Sequence, residues 1–353
     1  MTSPTPIKPR SSLRELTNVR IREFLREPEA VFWTFAFPVL LAIGLGIAFR
    51  NKPVEIVHIG VVSGPGSDSV IASLTRSTAL AVTDVPTLDS GLAAMRNGKL
   101  ALVVQPRGAR FVEYRFDDTR PDARNARLLA DDAIQRGAGR TDLLRTSDSL
   151  VREAGSRYID FVIPGLLGMN IMGGSIWGLG FAIVDARRKK LLKRLVATPM
   201  SRAEYLMAFV ISRLGLLAAE VALVLGFAVI AFGVPMRGSV LQLAVIVLMS
   251  AFGFGGLGLL IASRAQTIEG ASGLMNASMV PMWVLSGVFF SSENFPRAFQ
   301  PIIKALPLTA TNDALRATML RGEGWLSVAP ELVILAAWAL GCGWLALKLF
   351  RWR

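Results

Sequence analysis

Glu220 stands near the middle of the apolar run 206–232 ("LMAFVISRLGLLAAEVALVLGFAVIAF"), and a carboxylate at membrane depth is costly enough to need a reason. Two chemistries fit it: capture of a cationic substrate, or hydrogen bonds that hold a neighbouring helix, which is the plainer account. Arg213 lies seven residues earlier on the same helix face, about 10 Å away by helix rise, so its side chain is expected to reach for the cytoplasmic interface rather than pair with Glu220. Asn170, Ser175, Asn276 and Ser278 are further polar positions within apolar runs. They could line a translocation path, and hydrogen bonds between helices explain them equally well.

The rest of the reactive inventory is narrow. A lone His58 and a lone Cys342 leave no disulfide and no Cys/His metal cluster, which sets metalloenzyme and thiol chemistry aside. Gly253, Gly255 and Gly258 form a G-x-G-x-x-G inside an apolar run with no strand before it, a context for close helix packing rather than a dinucleotide. Gly174 and Gly178 form a G-x-x-x-G of the same kind, within the subunit or at a dimer seam. No G-x-x-x-x-G-K-[ST] phosphate loop occurs in the sequence, so ATP hydrolysis is expected of another chain.

The stretch "ARRKKLLKRLVATPMSRAEYL", residues 186–206, carries seven basic side chains between two apolar runs. Leu191, Leu192, Leu195 and Val196 share one helical face, and Arg187, Lys190, Lys193 and Arg194 fall mostly on another. Pro199 ends that amphipathic helix, and Ser201 with Glu204 gives a capping box that starts the next. A topology signal would need only the charge. The break and capped restart point to a docking surface for a cytoplasmic partner.

These residues must be positioned by membrane helices. With 52% apolar residues, the composition is that of an integral membrane protein. Runs long enough to cross, about 20 residues, occupy 30–49, 159–184, 206–232, 239–263, 271–290 and 328–347. The first has a long basic lead and no small-residue cleavage site, so it is read as an uncleaved anchor rather than a signal peptide. Lys and Arg gather in the N-terminal segment, the 187–202 loop and the tail (Lys348, Arg351, Arg353), whereas the loop between the third and fourth runs offers only Arg237. The positive-inside rule then places both termini in the cytoplasm and residues 50–157 outside. The net charge of +13 is explained by topology and anionic lipids rather than nucleic acid.

The expected fold is thus an α-helical integral membrane protein of six transmembrane helices, with an α/β extracytoplasmic domain inserted between helices 1 and 2. Residues 1–29 form a cytoplasmic N-terminus, with an interfacial amphipathic helix over 11–27. They are followed by the first span (30–49), the outer domain (50–157), the second span (158–184), a cytoplasmic element (185–204) and the third to fifth spans (205–290). A re-entrant cap (291–327) precedes the sixth span and basic tail (328–353). In the outer domain "IVHIGVV", "LALVV" and "FVEYRF" read as strands, alternating with helical stretches such as "DSVIASLTR" and "LDSGLAAMRNG". The prolines of 291–327 separate apolar pieces too short to cross, whose backbone must be sheltered by protein.

"LLKRLVATPMSRAEYLMAFVISRL" resembles the signature loop of ABC-2 type (type V) exporter permeases, in which an "LERLLATP" element precedes a helix start. "SGVFFSSENFPRAFQPIIKALPLTATNDALRATML" is similar to that family's stretch after the fifth span, and "IGVV…LALVV…FVEYRFDD" resembles the extracytoplasmic domain of its larger, drug-exporter-like members. The resemblance implies a half-transporter in a bacterial-type inner membrane. It would work as a dimer, with a second copy or a sister permease, and with two ABC ATPase subunits that bind the ATP and Mg; the chain itself would hold no cofactor. It also implies that Arg187, Lys190, Lys193, Arg194, Leu195, Ala197, Thr198, Pro199, Ser201 and Glu204 form the element that couples to the ATPase. The family often has an acidic residue and a Gly-Thr pair before its "LERL", where this chain has "RRKKLLKR". The implied activity is export of an amphiphilic or hydrophobic substrate; a membrane-anchored receptor or assembly factor with an extracytoplasmic ligand-binding domain is the alternative. An ion-driven carrier is disfavoured by the scarcity of buried carboxylates.

Overall fold

The computed structural model describes residues 12–50, 56–108, 111–142, 144, 155, 157–188, 202–265 and 267–349. The chain divides into two units, Met1–Arg50 with Arg152–Arg353, and Asn51–Val151. The first unit opens with α1 (Ser12–Leu25). Pro28 then starts α2 (Pro28–Val31), at the helical position where a missing N–H matters least. The helix passes through a π turn, Phe32–Ala36, into α3 (Phe37–Arg50). The π turn ends just before Pro38, which has no N–H to offer the Thr34 carbonyl four residues back.

The second unit is a four-stranded sheet with helices on both faces. Its elements run β1 (Val57–Val62), α4 (Ser67–Thr75), β2 (Leu80–Val85), α5 (Leu88–Arg96), β3 (Leu102–Pro106), β4 (Val112–Phe116) and α6 (Pro121–Gly137). The strand order is β2-β1-β3-β4, with β4 alone antiparallel to its neighbour. The step from β1 to β2 and the return past β1 to β3 run in opposite directions, so crossovers of one hand put α4 and α5 on opposite faces. Ile59, Val61, Leu102 and Val104 pack with Val70 and Leu74 of α4 and Ala126 and Ala130 of α6. Val62, Val85, Leu100 and Val103 form a smaller core with Leu88 of α5. Strand β2, "LAVTDV", escapes the alternation rule because Thr83 and Asp84 are both exposed at the sheet edge.

The first unit resumes with α7 (Tyr158–Arg188), α8 (Arg202–Phe232), α9 (Val240–Arg264) and α10 (Ile268–Leu285). Two short 3-10 turns, α11 (Gln300–Ala305), α12 (Pro307–Arg316) and a π turn (Ala317–Arg321) lead to α13 (Trp325–Leu349). Among the described residues, five stretches are long and apolar enough to cross a membrane: Pro28–Ala48, Tyr158–Asp185, Val210–Phe232, Val240–Arg264 and Trp325–Leu349. The expected span over 271–290 is cut short at Leu285, because Gly287 turns the chain with φ of +70°.

Helix α9 packs between α7 and α13, and α1 packs along α8. A Cβ at Gly258 would stand 2.7 Å from the Ile176 carbonyl oxygen of α7, and one at Gly256 would stand 3.4 Å from the Ala339 carbonyl oxygen of α13. The glycine-rich segment of α9 is therefore a two-sided packing seam. Helix α12 is too short to cross and lies against α7, α9 and α13, with Leu308, Thr311, Asn312, Ala314 and Leu315 inaccessible.

Candidate functional site

Helix α7 collects the polar contacts of the bundle. At its start the fully buried Asp160 carboxylate accepts hydrogen bonds from the backbone N–H groups of Gly155 (3.0 Å) and Arg157 (3.2 Å). The Arg157 guanidinium adds two more, at 2.9 and 2.7 Å. An acid in a first helical turn is where orphan N–H groups and the helix dipole favour it. Arg157 also donates through Nη2 to the Gly233 carbonyl (3.2 Å), just past the last turn of α8. At the other end of α7, Arg187 Nη1 donates to the carbonyls of Ala262 (3.2 Å) and Ala265 (3.3 Å), which close α9.

Midway along α7, Gly174 and Gly178 leave a groove that α8 fills with a guanidinium. A Cβ at Gly174 would collide with Arg213 Nη2, and one at Gly178 would stand 3.1 Å from Arg213 Nε. Arg213 Nη2 is 3.9 Å from Glu220 Oε2, with the two side chains 14% and 0% exposed. The expectation that Arg213 turns away from Glu220 is therefore corrected. Seven residues put both on one face of α8, and two long side chains bent towards each other bridge the rise between their backbones. Neither Glu220 oxygen has a hydrogen-bond partner among the described residues, so Coulomb attraction alone holds the pair.

Asn170 lies one turn before Gly174 and donates through Nδ2 to the Thr34 carbonyl (3.3 Å). That is the carbonyl to which Pro38, four residues on, has no N–H to give. Asn170 therefore repairs the first span from α7.

Helix α12 brings a second polar group into the bundle. The hydroxyls of Thr311 and Ser250 of α9 are 2.9 Å apart, and Asn312 Nδ2 donates to the Ser286 carbonyl at 2.8 Å. Asn312 Oδ1 rests against Gly168 of α7, where a Cβ would collide. Arg316 lies 3.8 Å over the Phe161 ring centroid and donates to the carbonyls of Phe161 (3.3 and 3.2 Å) and Gly287. A cavity of about 510 Å³ opens beside it, lined by Phe161, Lys304, Asp313, Arg316, Arg321 and Glu331 among others. Among the described residues no group of three or more His, Cys, Asp and Glu side chains is placed to hold a metal ion.

A profile of the family described as ABC-2 type transporter matches residues 133–320, from the last turns of α6 to the π turn before α13 and more than half of the 353 residues. The chain belongs to the ABC-2 type transporter family. It is similar to the "Inner membrane transport permease YhhJ" of Escherichia coli K12, 26% identical over 179 residues, which are 49% of this chain and 46% of that protein. The "Probable multidrug ABC transporter permease YbhS" of the same organism is 26% identical over 196 residues, 53% of this chain and 51% of that protein. The "ABC transporter G family member 20" of Dictyostelium discoideum is 24% identical over 187 residues, 52% of this chain and 26% of that protein. The chain thus spans about half the length, or less, of these curated relatives.

The ABC-2 match takes in all five candidate path residues, and the structure does not gather them. Ser175 and Glu220 are buried close to the Gly174 groove, and Asn170 is committed to the first span. Asn276 is exposed on α10, and the Ser278 hydroxyl donates back to Leu274 of its own helix (2.9 Å), as mid-helix serines do. Of the residues expected to meet an ATPase, Arg187 lies in the last turn of α7 and Glu204 in the first turn of α8. Lys190, Lys193, Arg194, Leu195, Ala197, Thr198, Pro199 and Ser201 lie outside the described residues. Sequence reasoning missed Arg157, Asp160, Asn312 and Arg316. The signal for the first two was an Arg and an Asp three residues apart at the lip of an apolar run; for the last two it was polar residues at 309, 312 and 316, at helical spacing.

Proposed function

We propose that this ABC-2 chain is the membrane-spanning permease subunit of an ATP-driven exporter. It carries an amphiphilic or hydrophobic substrate, such as a drug-like molecule, a lipid or a glycolipid, out of the cytoplasm or the inner leaflet. The chain lies in a bacterial-type cell membrane with both termini in the cytoplasm and the Asn51–Val151 unit outside. Six spans follow from counting α10, whose 18 residues stand at the short end of the crossing range of about 17–25 residues. The observation that carries this reading is the family match, which takes in α7, α8, α9, α10 and the 185–204 stretch joining α7 to α8.

Two copies, or this chain and a sister permease, assemble with two ABC ATPase subunits, which hold the ATP and Mg. Closure of the ATPases presses on the 185–204 stretch through Lys190, Lys193, Arg194, Leu195, Ala197, Thr198, Pro199, Ser201 and Glu204. The bundle then shifts between inward-open and outward-open populations. The chain's own part is mechanical: α7 receives the push at its basic end and passes it to the helices packed on it.

The reading is tested in inside-out membrane vesicles that contain the chain with its ATPase. ATP-dependent uptake of a fluorescent cationic amphiphile is expected, absent when the ATPase cannot hydrolyse ATP. Uptake driven equally well by an ion gradient without ATP would remove the exporter reading.

A further inference from the structure

Helix α7 is bracketed by two arginines, each of which caps a different neighbour. Arg157 reaches the carbonyl of Gly233 past the end of α8. Arg187, 30 residues later and about 45 Å along the axis, reaches the carbonyls of Ala262 and Ala265 at the end of α9. The last carbonyls of a helix lack intrahelical partners and carry the negative end of its dipole, so a guanidinium there makes charge-assisted hydrogen bonds. Arg188 and Arg264, at the same ends of the same two helices, are exposed, whereas Arg187 is half-buried between them.

From this we infer that Arg187 is a positioning residue, not a contact for the ATPase: it ties the 185–204 stretch to α9, so that a push on that stretch moves α7 and α9 together. The inference rests on the exporter reading and assigns one of its expected docking residues a different job. Further up, α7 and α9 touch backbone to backbone at Ile176 and Gly258, and at Gly180, where a Cβ would stand 3.0 Å from the Gly258 carbonyl oxygen. Arg187 extends that seam to the end of α7. On its far side α9 packs against α13 through Gly253 and Gly256, so the motion continues into the last span.

The test uses the whole permease–ATPase complex in a Cys342→Ser background, with an environment-sensitive fluorophore on Arg264→Cys in one preparation and on Arg188→Cys in another. ATP and Mg should change the fluorescence at both ends in the otherwise unaltered chain. Arg187→Ala should keep the ATPase bound, its turnover and the response on α7, and lose the response on α9. Arg187→Lys keeps the charge but cannot serve both carbonyls, so part of the α9 response should return. If the alanine variant does not fold into the membrane, the lysine variant decides, and an undiminished α9 response in it overturns the tie. An unchanged α9 response in Arg187→Ala overturns it too, as does loss of the ATPase from that variant, which would make Arg187 a docking contact. If no ATPase accompanies the unaltered chain, the exporter reading fails first, before any variant is compared, and the tie falls with it.

Discussion

The Arg213 guanidinium and the Glu220 carboxylate face each other at 3.9 Å on one helix, α8, with Gly174 of α7 against both. No hydrogen bond joins them, and burial removes both charges from water, so each depends on the other for compensation. Removing one partner of such a pair is expected to destabilise the fold by about 3 kcal/mol, whereas replacing both with apolar groups of similar size comes out near neutral. Glu220→Gln should therefore lower the melting temperature in detergent, and Arg213→Met with Glu220→Leu should recover most of it. If the single change costs nothing, the pair has no structural weight. A stable double variant that no longer exports would give Glu220 a role in the path.

The groove that receives Arg213 depends on missing side chains. Gly174→Ala would place a methyl group on the guanidinium, whereas Gly173→Ala meets only the tip of Met279 at 3.6 Å. The first should destabilise by about 1–3 kcal/mol, as overpacking does, and the second should be tolerated. Thermal melts of the two alanine variants compare adjacent positions on one helix, and equal melts would remove the groove.

The bond from Asn170 to Thr34 answers a defect introduced by Pro38. Asn170→Ala should remove this half-buried hydrogen bond, at about 0.5–1.5 kcal/mol. Pro38→Ala restores the backbone donor, so the same Asn170 change should cost much less in that background. Additive losses in this double-mutant cycle would show that Asn170 does not serve the carbonyl freed by Pro38.

Asp160 is fully buried and accepts four hydrogen bonds from Gly155 and Arg157. Asp160→Ala should destabilise by about 1–3 kcal/mol, because it takes the acceptor from the Gly155 and Arg157 N–H groups, while the half-exposed Arg157 guanidinium keeps its water. The Arg157→Ala, Asp160→Ala pair should be less harmful than the sum of its parts. A small, additive loss would sink the view that this pair anchors the start of α7.

Much of the fold was legible as apolar length. Five stretches stand where runs of about 20 apolar residues required them, and "IGVV", "LALVV" and "FVEYRF" became β1, β3 and β4. Polar side chains were harder to read, because periodicity names the face a residue is on and not what meets it there. Arg213 was placed on the right face and given the wrong direction, since helix rise measures backbone separation and says nothing of two long side chains bending together. Asn170 stood equally for a path residue or a hydrogen bond between helices, and the partner of the bond it makes, Thr34, is more than 130 residues away in the sequence. The break at Gly287 was hidden inside a run that stays apolar to Phe290. Arg316 was hidden for the opposite reason: an arginine in a proline-rich stretch reads as solvated, and only the bundle supplies the Phe161 ring and carbonyls that let it be buried.

The most direct measurement of the central claim, that this chain works through a separate ATPase docked on its basic stretch, is co-purification. The tagged chain is drawn from mild detergent beside a Lys193→Glu, Arg194→Glu variant, and ATP hydrolysis is assayed in both eluates. The account predicts an ATPase in complex with the unaltered chain and, after two charge reversals at a rim contact of about 1 kcal/mol or more each, at least a tenfold loss from the variant. An eluate without ATP hydrolysis from the unaltered chain, or an ATPase that stays equally bound to the variant, would contradict it.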